Sequence, residues 1–441
     1  MNDGRPLTAD RGKKQCMGSV DRSSSQESKF VDNRPVPDLT LTLTDMAHGG
    51  LALGRDKSGR AIFVPFAIPG ETVRVRVPDD KRGFARAELL EVLKPSPDRI
   101  APRCRHFGIC GNCHLQHMNY ATQLRAKEAA VRDQLTRVGG LKNPPLRPIL
   151  PAPEPYGYRV ETALFPADEG GLGYWSPLER RIFRVEECPI LQPALAAALP
   201  DLDVELPGLR RLSLRLGDDD ELLAALETED VEPPELAVDF PVSVAIVLPD
   251  RTAASLIGDP YLMRTLAGRE YRFSPGVAWP ANPAVAERLA AVVVELAEIG
   301  AADIVLESPG GAGWLTAALA QRAASVIAVE PNPDAVADAA ENLDAFDNVS
   351  IYEGTEEEVF PTLETQPDVV VLRPADGLSP AAFRLLERLH PRRRVVVAGE
   401  IGALAKDAKR LAKMGYRPLA FQPVDLSPQA FQVEIVSLWR K

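Results

Sequence analysis

The placement of the cysteines constrains this chain most. Three of its five cysteines crowd into one stretch, RCRHFGICGNCHLQHMNY, as Cys104-x5-Cys110-x2-Cys113. Cys188 follows far downstream in EECPILQP, and Cys16 stands alone in a polar start. Short spacing in a glycine-containing loop lets three sulfurs converge on one point. A fourth sulfur from a distant segment then staples two parts of the chain together. In a reducing compartment such a group reads as a metal site rather than a disulfide framework. Four thiolates suit either tetrahedral zinc or a [4Fe-4S] cluster. His106, His114 and His117 lie close by in sequence, so zinc with a histidine ligand is a further option. Spacing alone does not choose among these, and buried, unliganded thiols are the plainest alternative.

Charge is as uneven as cysteine. The 441 residues carry a net −11, which excludes a wholly basic nucleic-acid binder. From Arg74 to Arg147, however, 15 Lys and Arg face 7 Asp and Glu, a local +8 that leaves −19 for the rest. One segment is thereby expected to meet a polyanion. No apolar run approaches the roughly 18 to 20 residues of a membrane span. The start MNDGRPLTADRGKKQCMGSVDRSSSQESK lacks the apolar core of a signal peptide. A cytoplasmic protein is expected.

Residues 1–35 lack periodicity and are expected to form a disordered tail. Over 36–95, LTLTDM, RAIFVPFA, ETVRVRVP and RAELLEVL alternate as short strands between HGG, RDKSGR, IPG and PDDKRG turns, which predicts a small β-barrel. Over 96–265 a cysteine segment leads into the helix TQLRAKEAAVRDQLTRVGGL. An α+β region follows, whose strands, including RRLSLRLG, ELLAALE and DFPVSVAIVLP, are expected to pair antiparallel. From 266 to 441 strands and helices interleave, as in a doubly wound α/β domain. The expected fold class is therefore α/β plus β: an OB-like barrel, a central antiparallel-sheet domain and a Rossmann-like domain.

The run CRHFGICGNCHLQHMNYATQLRAKEAAV resembles the iron–sulfur segment of the RNA 5-methyluridine (uracil-C5) methyltransferase family. The likeness extends over about 39–441, with AHGGLALGR and VPFAIPGE resembling that family's TRAM barrel and CPILQP its fourth-ligand segment. The resemblance implies a [4Fe-4S] cluster on Cys104, Cys110, Cys113 and Cys188, with zinc as the alternative. It also implies S-adenosyl-L-methionine as cofactor, RNA (rRNA or tRNA) as partner, and a monomer. IVLESPGGAG resembles the cofactor-holding strand–turn–helix, with Gly311 and Gly313 in the turn and Glu330 in SVIAVEPN as the ribose-binding acid. Asn282 in WPANPAV matches the Asn of the family's Phe-Gln-x-Asn segment, and Pro280 stands at its Gln, without side-chain amide or backbone donor.

The chemistry positions depart further. The family attacks uracil C6 with a cysteine to make C5 nucleophilic, and a base then removes the C5 proton. The cysteine position becomes Gly399 here, in the register set by Leu404, Ala405, Lys406, Asp407 and Gly415-Tyr416. Asp-Pro-Pro-Arg becomes Arg373-Pro374-Ala375-Asp376. The turn before the glycines is Glu307-Ser308-Pro309, where the family has an Asp and an aromatic residue. Glu434, in DLSPQAFQVEIVSL, matches the proton-abstracting base and is the candidate catalytic residue. Two readings follow. One is an RNA methyltransferase whose target atom needs no C6 adduct. The other is a non-catalytic RNA-binding relative on the same scaffold, with Phe84, Phe107 and Tyr120 as candidate base-stacking residues.

Overall fold

The structure is a computed structural model that describes residues 38–77, 83–200, 202, 204, 206–229, 241–389 and 393–441. The tail expected over 1–35, with Cys16, lies outside the described residues.

Six short strands open the described chain: β1 (Asp38–Ala47), β2 (Leu51–Arg55), β3 (Ala61–Val64), β4 (Thr72–Arg76), β5 (Phe84–Arg86) and β6 (Glu88–Lys94). Their order is β5-β3-β2-β1-β4-β6. β1 pairs with β4 through its first half and with β2 through its second, with a bulge between Leu43 and Asp45. The bulge bends one strand so that it serves both halves of the sheet. Alternation sends Leu41, Leu43, Ala52, Ile62, Val64, Val73, Val75 and Ala85 into one apolar cluster, against which Leu89 and Val92 of β6 pack. All six strands feed that core, as in a rolled sheet.

The cysteine segment leads into α1 (Tyr120–Arg137), whose N-cap Asn119 accepts from the Thr122 N–H. Beyond it, Gly139 passes so close to the Leu135 carbonyl that a Cβ would sit 2.5 Å from its oxygen, which admits only glycine there. The central sheet contains β7 (Glu161–Pro166), β8 (Leu172–Ser176), β9 (Arg181–Arg184), β10 (Leu209–Leu216), β11 (Leu222–Thr228), β12 (Ser243–Val247) and β13 (Ala253–Ile257), with α2 (Pro193–Ala198) after β9. Its order is β13-β12-β11-β10-β7-β8-β9. The expectation of an all-antiparallel sheet fails at one pair: β11 and β12 run parallel. The connection from Thr228 to Ser243 is long enough for the crossover that parallel pairing requires. A hairpin, β14 (Leu262–Leu266) and β15 (Arg269–Phe273), follows.

The last region runs α3 (Pro283–Ala297), β16 (Ile304–Ser308), α4 (Trp314–Ala320), β17 (Ser325–Glu330), α5 (Pro333–Asn342), β18 (Val349–Glu353), α6 (Glu356–Val359), β19 (Val369–Leu372), α7 (Pro380–Leu389), β20 (Arg393–Ala398), α8 (Ile401–Lys413), β21 (Arg417–Val424) and β22 (Glu434–Arg440). The sheet order is β18-β17-β16-β19-β20-β22-β21. Strands β16 to β20 are mutually parallel and β22 is antiparallel to both neighbours. Alternate residues pack opposite faces. Val305, Val326, Val369 and Val371 join α3, α4 and α5, while Leu306, Ile327, Val370 and Leu372 join α7 and α8. Val131 and Leu135 of α1 pack into that second face, tying the cysteine segment to this sheet. The expected α/β plus β class is what the fold shows.

This topology positions the site. Strand order reverses between β16 and β19, where the chain leaves in opposite directions and opens a crevice at the carboxyl ends. Because β22 runs antiparallel, its first residue lies at that same edge: Ile435 pairs with Ala398, which brings Glu434 beside Gly399.

Candidate functional site

The four predicted thiols lie within range of one another's charge. Cys113 and Cys188 share an apolar cluster with Tyr158 and Ile190, and Phe107 and Tyr156 pack against it. Burial raises every one of these thiols, Cys110 to about 11 and Cys113 to about 12, and the charge of the neighbouring sulfurs raises Cys104, Cys110 and Cys113 further. The groups that favour thiolates are arranged around them. Backbone amides of His106 and Phe107 serve Cys104, and those of Ile190 and Leu191 serve Cys188. The Asn112 N–H donates to the Cys110 sulfur at 3.5 Å, and the Cys104 N–H donates to the Gln116 side-chain oxygen at 3.1 Å. Arg159 supplies positive charge to Cys110 and Cys188.

Among the described residues no three His, Cys, Asp or Glu side chains converge as ligands of one metal ion would. His117 is turned to the Ala67 carbonyl at 3.3 Å, and burial pushes it down to about 4. His106 accepts from the Glu186 N–H at 3.4 Å and lies against Phe183.

The second site is a cavity of about 320 Å³ walled by Trp279, Pro280, Ala281, Trp314, Pro374 and Leu426, with Arg373, Gly399 and Glu434 among its lining. Its volume falls within the roughly 300–1,000 Å³ of small-molecule sites. Gly399 and Glu434 face each other there, and a Cβ built on Gly399 would lie 2.6 Å from Glu434 Oε1. Burial pushes the Glu434 carboxyl up, and Arg373 pulls it back. Arg373 stacks on Trp314, 5.2 Å from its ring centre. Its Nη1 is 3.9 Å from Glu307 Oε1, and its charge acts on Glu307, Glu330 and Glu434 alike. Glu307 is wholly buried, accepts from the Thr316 hydroxyl at 2.6 Å, and is pushed up to about 7 by that burial. Sequence reasoning singled out Arg373 as a departure but did not see that it stands among three carboxylates. Nor did it identify Trp279 and Trp314 as cavity walls, although a Trp directly after Gly313 was the available signal.

The glycine turn adjoins this cavity. Gly311, at φ +58°, has open space where a Cβ would go, whereas a Cβ on Gly313, at φ +85°, would lie 2.8 Å from Leu343 Cδ1. One turn glycine therefore opens the backbone to a ligand, and the other lets α4 pack on α5. Glu330 closes the far side, accepting from the Gly311 N–H at 2.8 Å and the Asn332 N–H at 2.9 Å; burial raises its carboxyl. Asn282 is 2% exposed, and its amide donates to the Leu426 carbonyl at 3.1 Å. Its contact is thus with the chain leading to Glu434.

That leading chain, Asp425 to Phe431, is gripped by the cysteine segment and α1. His114 and Leu115 N–H both donate to the Gln429 carbonyl at 2.9 Å. Gln123 and Gln429 exchange two hydrogen bonds, and the Tyr158 hydroxyl donates to the Pro428 carbonyl. Lys127 and Asp425, both fully buried, form an ion pair at 2.5 Å, and the Tyr120 hydroxyl donates to Asp425 at 2.8 Å. Tyr120 is therefore a structural anchor rather than a stacking surface. Phe107 packs edge-on against Phe66, and of the three proposed stacking residues Phe84 is the exposed one.

The basic stretch is less bare than its sum. Arg74, Arg76, Arg99, Arg105, Arg125, Lys127, Arg132, Arg137 and Arg147 each pair with a carboxylate, five of them to residues outside the stretch. The positive excess is largely answered by acids that folding brings to it.

A family model for the TRAM domain matches residues 38–90. An uncharacterized RNA methyltransferase of Gloeobacter violaceus is 30% identical, the match covering 90% of this chain and 95% of that protein. A 23S rRNA (uracil(1939)-C(5))-methyltransferase of Pectobacterium carotovorum is also 30% identical, over 92% of this chain and 94% of its own. The crystal structure of the Pyrococcus abyssi tRNA (uracil-54, C5)-methyltransferase with S-adenosyl-L-homocysteine shares the fold at a TM-score of 0.70 and 22% identity, over 91% of this chain and all of that one. Among the described residues no helix is long and apolar enough to cross a membrane.

Proposed function

The chain belongs to the RNA methyltransferase family that includes the 23S rRNA uracil-C5 methyltransferases, and on that premise we propose that it is an S-adenosylmethionine-dependent RNA methyltransferase working without a covalent nucleophile. The observation that carries this is Gly399 facing Glu434 in one cavity: the proton acceptor is kept, and its neighbour has no side chain to attack with.

The turn fits the cofactor, because Gly311 leaves the backbone open and Glu330 stands across from it with lone pairs to spare for ribose hydroxyls. When bound, S-adenosylmethionine supplies an electrophilic methyl group. The chain's own contribution is to wall off water with Trp279, Trp314 and Leu426, to hold a base against Arg373, and to accept a proton at Glu434.

The donor set suits a [4Fe-4S] cluster on Cys104, Cys110, Cys113 and Cys188, since four thiols within range of one another's charge have amide donors around them, although the side chains are not converged on one point. It would bind as the thiols lose their protons. Its role is to fix the loop His106–Leu115, whose last two amides hold Gln429 and so the approach to Glu434. The non-catalytic RNA-binding reading is favoured by one observation, that both Glu330 oxygens already accept backbone amides.

Incubation with labelled cofactor and total RNA decides between them. Transfer by the wild type well above a Glu434→Ala control supports the enzyme; no difference removes it. Cys188→Ser, purified anaerobically, is expected to lose bound iron and its visible colour. A colourless, iron-free wild type would remove the cluster.

A further inference from the structure

Most cations of the basic stretch are paired, whereas α8 carries a row that is not. Lys406, Lys409, Arg410 and Lys413 recur at the spacing that keeps residues on one helix face. All four are exposed, and among the described residues none forms an ion pair with a carboxylate. Arg410 lies over the Phe383 ring, 3.6 Å from its centre, which leaves three ammonium groups facing solvent. The acids of α8 do not answer them. Asp407 is 8% exposed and accepts from the Leu378 N–H at 2.9 Å, and Glu400 caps the helix by accepting from the Gly402 and Ala403 N–H groups. The far side of α8, with Ile401, Leu404, Ala408 and Leu411, is sunk in the core, so the lysine row is held outward.

Position gives the row its use. The start of α8 opens on a groove of about 300 Å³ walled by His48, Gly49, His114, Gly399, Glu400 and Phe431. Gly399 lines this groove and the Glu434 cavity alike, so the two meet there. Counted from Ile401 at about 1.5 Å per residue, the lysines lie about 8 to 18 Å along the helix. We propose that Lys406, Lys409 and Lys413 hold the sugar–phosphate backbone of a single-stranded RNA segment that runs from the cavity past Gly399 and along α8. The proposal rests on the methyltransferase reading above and names the surface that holds its substrate. A base reaches an enclosed cavity only from an unpaired or opened strand. Lysine is depleted at protein–protein interfaces and common against phosphates, which favours RNA over a protein partner on this face.

Binding of the full-length protein to a fluorescently labelled, single-stranded RNA of mixed sequence is followed by anisotropy from about 50 to 200 mM KCl. Three phosphate contacts on a single strand contribute about 2 to the slope of log affinity against log salt, at roughly 0.7 each. Lys406→Gln, Lys409→Gln and Lys413→Gln together should lower the slope by that amount. Glutamine matches lysine in helix propensity, so the far-ultraviolet dichroism should not change. Arg125→Gln, Arg132→Gln and Arg137→Gln together remove the same charge from α1, where each cation already has a carboxylate, and should change the slope little. In the wild type, RNA should shield Lys406, Lys409 and Lys413 from an amine-reactive label read by mass spectrometry. An unchanged slope in the α8 variant, an equal fall in both variants, or no shielding of the three lysines would overturn the proposal. Transfer from labelled cofactor to total RNA is scored separately. Transfer with a slope indifferent to α8 sinks this proposal alone, and an α8-dependent slope without transfer sinks the methyltransferase reading and leaves the surface standing.

Discussion

The thiol site and the carboxylate cavity solve the same electrostatic problem differently. Each gathers acidic groups from distant parts of the chain and buries them together, which favours their neutral forms. Among the thiols the opposing charge is Arg159, acting on Cys110 and Cys188, and the thiols stay high. Among the carboxylates one guanidinium, Arg373, acts on Glu307, Glu330 and Glu434 together. In the first arrangement burial is only weakly opposed; the second carries its own counter-charge. Exchange of the family's acid for Arg373 is thus more than the loss of a motif. It supplies a counter-charge that opposes the effect of burial on Glu434 and on two other acids.

The largest test severs the link between the two regions. Asp425→Ala leaves the fully buried Lys127 ammonium and the Tyr120 hydroxyl without their acceptor. It should cost about 3–5 kcal/mol in urea unfolding, and a loss under about 1 kcal/mol would mean the pair does not join them. The next removes a carboxylate from the cavity side. Glu307 holds its proton more tightly folded, at about 7, than unfolded, at 4.5. Stability therefore falls as pH rises from about 4.5 to about 7 and stays lowered above. Glu307→Gln should abolish that fall, gaining up to about 3 kcal/mol at pH 8 and little at pH 4; an unchanged pH profile would show that Arg373 already neutralises the group. Gly399→Ala places a methyl against the Glu434 carboxylate, the end of a rotatable side chain. It should change stability by roughly 1 kcal/mol or less yet weaken nucleotide binding several-fold; unaltered binding would detach Glu434 from the base. The smallest effect is expected from Arg159→Met. The thiolate absorbance of the metal-free chain should then appear at slightly higher pH, and a shift downward would contradict the role given to Arg159.

Much of both sites was legible in the chain. Cys104, Cys110, Cys113 and Cys188 announced themselves by spacing and count. Gly399 and Glu434 were matched separately, in segments far apart, and the structure puts them face to face because β20 and β22 pair antiparallel. Strand β21 escaped notice because its two prolines, Pro418 and Pro423, do not read as strand formers; it survives as an edge strand, where a missing N–H is tolerated. Tyr120 looked like a stacking residue because exposure cannot be read from identity. The +8 stretch looked like a bare RNA-binding face because a charge sum ignores acids that arrive from elsewhere, such as Glu71, Glu186, Glu295 and Asp425.

By itself the amino-acid sequence determined the order of the three regions, the four sulfurs and the absence of a thiol at Gly399. The first two follow from local periodicity and residue identity, which need no partner, and the third from the register of the family resemblance. Only the tertiary structure decided that Arg373 stands among three carboxylates, that α1 grips the loop leading to Glu434, and that Asn282 serves that loop. Each depends on which distant groups folding brings within hydrogen-bond or Coulomb range, and burial sets the strength of every such contact.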